Sequence, residues 1–154
     1  MKLRTSVLLL VTLLIGATMC FAADPNLGTW KLNEGKSKIA AGLPKNTTVT
    51  YDAAGDGIKA TVEGVDGQGK PTHNEWTGKY DGKDYPVTGD SSSDTRSLKK
   101  INDRTLELTA KKDGKVTITG RIVVAADGKS RTLTANWTDA MGKKAKSVAV
   151  YDKQ

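Results

Sequence analysis

The chain has 154 residues, with 24 lysines and arginines against 17 acidic residues, a formal charge of +7, one histidine and one cysteine. A lone cysteine excludes an intrachain disulfide and a thiolate metal cluster, and a lone histidine excludes the usual multi-histidine zinc site. The excess of basic residues favours anionic surroundings, yet the lysines are scattered beside turns rather than gathered into one run.

The first 22 residues read as a secretory signal peptide. Lys2 and Arg4 make a basic start, Val7 to Ala17 is a short apolar run, and Cys20-Phe21-Ala22 places small residues on either side of Phe21. This layout predicts cleavage after Ala22 and export to the periplasm or the extracellular space. The apolar run is too short for a comfortable membrane span, so no integral membrane segment is expected after cleavage. The alternative is a lipoprotein anchored through Cys20, against which bulky Met19 counts. Cleavage removes Lys2 and Arg4, which lowers the charge from +7 to +5, and it removes the only cysteine.

Residues 23–154 then form one domain, and it reads as all-β. Ten segments with two-residue alternation and many Thr and Val are predicted as strands, at 27–33, 46–54, 57–65, 71–80, 83–88, 94–101, 104–112, 115–126, 129–137 and 143–152. Gly28 and Trp30 stand in the first. The only helical candidate, Glu34 to Ala41, holds Gly35 and ends at Gly42-Leu43-Pro44, which allows a single turn. Val49, Tyr51 and Ala53 share one face of the second strand; Ile58, Ala60 and Val62 share one face of the third. Pro86 marks an edge or a bulge. The stretch from Gly89 to Asp94 reads as a flexible connector. In the eighth strand Val116, Ile118, Ile122 and Val124 define the apolar face, which aims Arg121 outward unless a bulge near Gly120 shifts the register.

Turn signals separate these segments. Asp-Gly-Lys occurs at 81–83, 113–115 and 127–129, with variants at Gly55-Asp56-Gly57, Asp66-Gly67-Gln68-Gly69, Asn102-Asp103 and Met141-Gly142-Lys143. Glycine supplies the positive φ of tight hairpins, and aspartate bonds its own backbone two residues on. Ten strands joined by short turns close most simply into an up-and-down antiparallel barrel, which removes exposed sheet edges; a β-sandwich is the alternative.

Little in this chain points to catalysis. His73 and Glu75 share a polar strand face with Thr77 and Lys79, no Ser, His and acid constellation is visible, and the glycines belong to hairpins. Asp90 and Asp94 flank three serines but lack the glycine and terminal glutamate of a calcium loop. Lys143, Lys144 and Lys146 form the densest basic group, with no aromatic residue interleaved for stacking on bases. The expectation is a protein that is not an enzyme, uses no cofactor or metal, binds no nucleic acid and is a monomer.

Gly28-Thr29-Trp30-Lys31-Leu32 resembles the first strand of the calycin superfamily, the lipocalins and fatty-acid-binding proteins. Val150-Tyr151-Asp152-Lys153 is similar to the last strand of the fatty-acid-binding branch, and Lys112-Asp113-Gly114-Lys115 with Arg121 to its eighth. The chain as a whole resembles exported bacterial lipocalin-like proteins. The resemblance implies a barrel that holds a small apolar or amphipathic molecule. It also implies Trp30 as a plug at one end with Arg121 or Arg131 stacked across it, and Gly28 as its companion in closing the barrel. Candidate ligand contacts are Arg121, Tyr151, Trp76 and Tyr80. Two departures accompany it: only Glu34 to Lys45 is available for the family's helical lid, so the lid is absent or vestigial, and Ala149 stands where the family has an arginine. A filled barrel acting as a structural or interaction module of the cell envelope is the competing expectation. If the leader is removed as read here, N-terminal sequencing of the exported product will begin at Ala23, whereas a blocked N-terminus at Cys20 would show the lipoprotein instead.

Overall fold

The computed structural model describes residues 23–139 and 141–154; the predicted signal peptide lies outside them. Each predicted strand is present, with ends shifted by at most two residues: β1 (Gly28–Leu32), β2 (Lys45–Ala54), β3 (Gly57–Val65), β4 (Pro71–Gly78), β5 (Tyr85–Thr88), β6 (Thr95–Asn102), β7 (Thr105–Lys112), β8 (Lys115–Val124), β9 (Ser130–Thr138) and β10 (Lys144–Lys153). They run antiparallel in chain order and close on themselves, because β1 pairs with both β2 and β10. Closure gives every strand two neighbours and leaves no free edge. No helix among the described residues is long and apolar enough to cross a membrane.

Turn chemistry sets the hairpins. At Asp113-Gly114 both central residues have positive φ, 49° and 74°, as the two-residue type I′ turn between Lys112 and Lys115 requires. Between β1 and β2 the chain makes only a three-residue 3-10 turn, Glu34–Lys36, capped by the Asn33 side chain. It then rejoins the sheet, where Lys38 pairs with Val148 and the Ser37 hydroxyl accepts from the Val150 amide at 2.9 Å. The connection therefore lies along β10, and the lid is vestigial as expected.

Alternation places one face of each strand inside. Trp30, Trp76, Leu98, Leu106 and Val124 are the largest apolar side chains that are almost wholly buried. At about 25 cal/mol per Å² of apolar area removed from water, these side chains drive closure. The alternation breaks where strands carry one residue too many. Ile101 is the unpaired residue between Lys100 and Asn102, and it points outward, 47% exposed. In β8 the pairing jumps from Lys111↔Val116 to Ala110↔Ile118, so Thr117 is the extra residue and Val116 is turned out, 46% exposed. Sequence parity had grouped Val116 with the interior. The bulge lies at Thr117 and not near Gly120, so Ile118, Ile122 and Val124 stay inside.

The wall is uneven. β5 is four residues long and holds each neighbour by two residue pairs, Glu75↔Thr88 and Trp76↔Val87 on one side, Tyr85↔Arg96 and Pro86↔Thr95 on the other. Pro86 sits in this thinnest panel rather than at a true edge. If the bulge assignment is right, Val116→Thr and Ile101→Thr will each change unfolding free energy by less than about 0.5 kcal/mol, as surface changes do. Ile118→Thr will cost about 2 kcal/mol or more by burying a hydroxyl and losing a methyl. Urea unfolding of the three variants reads the difference.

Candidate ligand-binding site

One end of the barrel is sealed by the segment that precedes β1. Asp24 accepts from the Asn26 amide and side chain, both at 2.9 Å, and the turn so formed puts the Asn26 carbonyl where the Trp30 indole donates to it at 2.9 Å. Gly28 enters β1 with φ of 109°, and a Cβ there would lie 3.0 Å from the Lys153 side chain. The positive φ is what favours glycine here, since the Lys153 side chain can move aside. Trp30 is 0% exposed, on the strand that pairs with both β2 and β10.

Above Trp30 lies Arg131, 4% exposed. Its guanidinium carbon sits 4.8 Å from the Trp30 ring centre, 4.6 Å from Tyr51 and 5.4 Å from Tyr151. Cation–π attraction of this kind contributes about 0.5–2 kcal/mol per ring. It offsets part of the cost of holding a cation out of water with no carboxylate in ion-pair contact among the described residues. Burial pulls the guanidinium below its ordinary pKa, although arginine remains charged at neutral pH. One terminal nitrogen, Nη1, is buried and has no hydrogen-bond partner among the described residues.

Arg131 and Tyr151 form the floor of an interior cavity of about 120 Å³. Val49, Val62, Leu108, Ile118 and Ile122 supply apolar wall, and Trp137 stands on the same wall with its Nε1 buried and unpartnered. Both unpartnered groups are donors. An occupant that satisfies them brings acceptor oxygens, and Arg131 favours a negative one. The volume is below the roughly 300–1,000 Å³ of drug-sized ligand sites. It is close to the apolar cavity of about 150 Å³ that admits benzene in an engineered protein.

The cavity opens at the other end, where residues 89–92 form part of the rim. This stretch is tied down rather than loose. Asp90 accepts from the Ser92 amide and hydroxyl at 2.8 and 2.6 Å, from the Ser93 hydroxyl at 2.5 Å, and from Arg96 Nη2 at 3.2 Å. Burial pushes the Asp90 carboxyl up, but the bonds from Ser92 and Ser93, helped by the Arg96 charge, outweigh it and hold the group below the usual carboxylate range. Gly89 makes the tight approach possible: its φ is 79°, and a Cβ would come within 2.2 Å of the His73 carbonyl.

The sequence-derived candidates separate accordingly. Tyr151 lines the cavity. Arg121 does not: it stands exposed on the outer face opposite Glu107 and Thr134, because no bulge shifts the register between Ile118 and Ile122. Trp76 is 1% exposed but packs in the wall, edge-on to Tyr85 at 5.9 Å, with its indole donating to the Arg96 carbonyl at 2.8 Å. Tyr80 is half-buried against the core cluster outside the cavity lining. Of the two arginines left open as the partner of Trp30, the structure selects Arg131. Parity carried that signal, since Arg131, Leu133, Ala135 and Trp137 share one face of β9. His73 lies on the outer surface between Glu63 and Glu75, and its hydrogen bond with Glu63 raises its pKa. No group of three or more His, Cys, Asp or Glu among the described residues is placed to hold a metal.

No family model and no curated protein matches the chain. Among solved structures, one described as EF1p2_mFAP2b bound to DFHBI is similar in shape, with a TM-score of 0.49 and 13% identity over 86% of this chain and 97% of that one.

The floor also sets a response to alkali. Burial pushes the Tyr151 phenol up to about 12 from the ordinary 10.0, and burial raises Tyr80 as well. Between those two values the unfolded chain releases the Tyr151 proton and the folded chain keeps it, so stability is intact below pH 10 and falls as pH rises toward 12. Unfolding free energy measured across this range will decline, and tyrosinate absorbance of the folded protein will lack the Tyr151 contribution until the barrel opens. Ionisation of all four tyrosines near pH 10 in the folded state would contradict the floor described here.

Proposed function

We propose that the protein is an exported, non-catalytic binding module that holds a small amphipathic molecule inside its barrel, acceptor or anionic group down, against Arg131. The observation that carries this reading is the buried, unpartnered Nη1 of Arg131 at the base of a cavity with an aliphatic wall around Val49, Val62, Leu108 and Ile122 and a polar rim that includes Asp66, Asn74 and Asp90. A buried donor left unmade costs about 1–3 kcal/mol, and a complementary acceptor recovers it. Tyr51 and Tyr151 hold the guanidinium in place while the aliphatic wall receives the body of the ligand. The volume favours one ring or a short chain over an extended fatty acid. The monomeric state and the lack of nucleic-acid binding belong to the same proposal.

The small size of the cavity also favours a second reading, a filled barrel in which Arg131 serves only as packing beneath a structural module. Calorimetric titration of the purified protein with benzoate- and hexanoate-sized carboxylates, each against its isosteric alcohol, separates the two. Binding of the carboxylate with single-site saturation, weaker binding of the alcohol, and a loss of roughly tenfold or more in Arg131→Met are expected, as fits a hydrogen bond to a charged group. Arg131→Met is close in volume but loses the contacts with Trp30, Tyr51 and Tyr151, so its circular dichroism and urea unfolding are compared with the parent before binding is read. Absence of saturable binding by every compound, including a long-chain fluorescent lipid analogue, would favour the filled barrel.

A further inference from the structure

The tips of β7–β8 and β9–β10 stand side by side at the open end, since β8 pairs with β9 up to Ile118↔Trp137 and β9 with β10 up to Thr138↔Lys144. Together they expose Lys112, Lys115, Lys143, Lys144 and Lys146. None of the five has a carboxylate within ion-pair distance among the described residues. Three acidic residues stand at the tips. Asp139 is turned into its own loop, accepting from the Met141 and Lys143 amides at 2.9 and 2.8 Å; Asp94 accepts from the Asp113 amide at 2.8 Å; and Asp113 itself is exposed in the β7–β8 turn.

Apolar side chains project among these cations. Met141 is 94% exposed, the most exposed large apolar residue of the described chain, and Val116, turned out by the bulge at Thr117, is 46% exposed. Their exposed apolar area lies beside the lysines of the same two tips. Cations with short apolar side chains between them, and no aromatic platform, match the headgroup region of a bilayer better than a nucleic-acid strand.

We propose that this rim is a docking surface for an anionic lipid membrane, with Met141 and Val116 entering the interface and the five lysines meeting lipid phosphates. Docked in this way, the open end of the cavity faces the bilayer. The purpose of docking rests on the ligand-binding reading; docking itself does not, because it needs no ligand in the barrel.

Sedimentation of the full protein with vesicles of phosphatidylglycerol and phosphatidylcholine, against pure phosphatidylcholine, tests it. Binding should require the anionic lipid and weaken as salt shortens the screening length. Lys143→Glu with Lys144→Glu should lower the partition coefficient about tenfold or more, from the contribution of each lysine near a charged surface. Met141→Ser should lower it severalfold, and Lys129→Glu at the sealed end should leave it within about twofold. Circular dichroism of each variant confirms the fold. The proposal is overturned by absence of binding, by equal binding to neutral vesicles, by an equal loss in Lys129→Glu, or by duplex DNA bound as tightly with no effect of Met141→Ser. A titration that finds no barrel ligand while docking persists would defeat the ligand reading alone.

Discussion

A cation held by aromatic faces is the constraint on which this barrel turns. Arg131 belongs to β9, Tyr151 to β10, Trp30 to β1 and Tyr51 to β2, four strands that are consecutive neighbours around the wall. The seam between β1 and β10 is where the sheet must find itself again after the full length of the domain, the contact of greatest sequence separation and the slowest kind to form. Placing the one buried guanidinium there ties the seam together from inside. The same guanidinium is the charged group on the cavity floor among the described residues, so one side chain serves both the seam and the polarity of that end of the interior.

That double use explains why the floor and the mouth differ. At the mouth Arg96 is neutralised by Asp90, and the surrounding serines finish the hydrogen-bond count of the carboxylate. At the floor no carboxylate faces the guanidinium among the described residues; the aromatic faces of Trp30, Tyr51 and Tyr151 and the tyrosine oxygens surround it, and Nη1 is left without a partner. The interior thus has a neutralised arginine at its mouth and, at its floor, one whose Nη1 has no partner among the described residues.

Strand number, strand limits and the lack of a lid were legible because each depends on local features: two-residue alternation, Asp-Gly turns, and a segment of chain too short for two helices. The facing of Arg121 was legible from parity too, and the family resemblance pulled against it. What was not legible came from single extra residues. Nothing in Lys115-Val116-Thr117-Ile118 marks Thr117 as a bulge, because β-branched residues occupy paired and unpaired positions alike. The Asp90 network was hidden for a different reason. Its polar, glycine-led composition is that of a loose connector, and only the three-dimensional placement of Arg96 on the neighbouring strand gives the aspartate a reason to hold it in place.

A wall opens where its ladder is shortest, and β5 has two residue pairs on either side where most other neighbours share seven or more. The aromatic seam lies on the opposite wall, so the weakest and the most firmly tied parts of the sheet are as far apart as the ring of strands allows. Amide exchange across β5 reads the free energy of detaching its four residues directly.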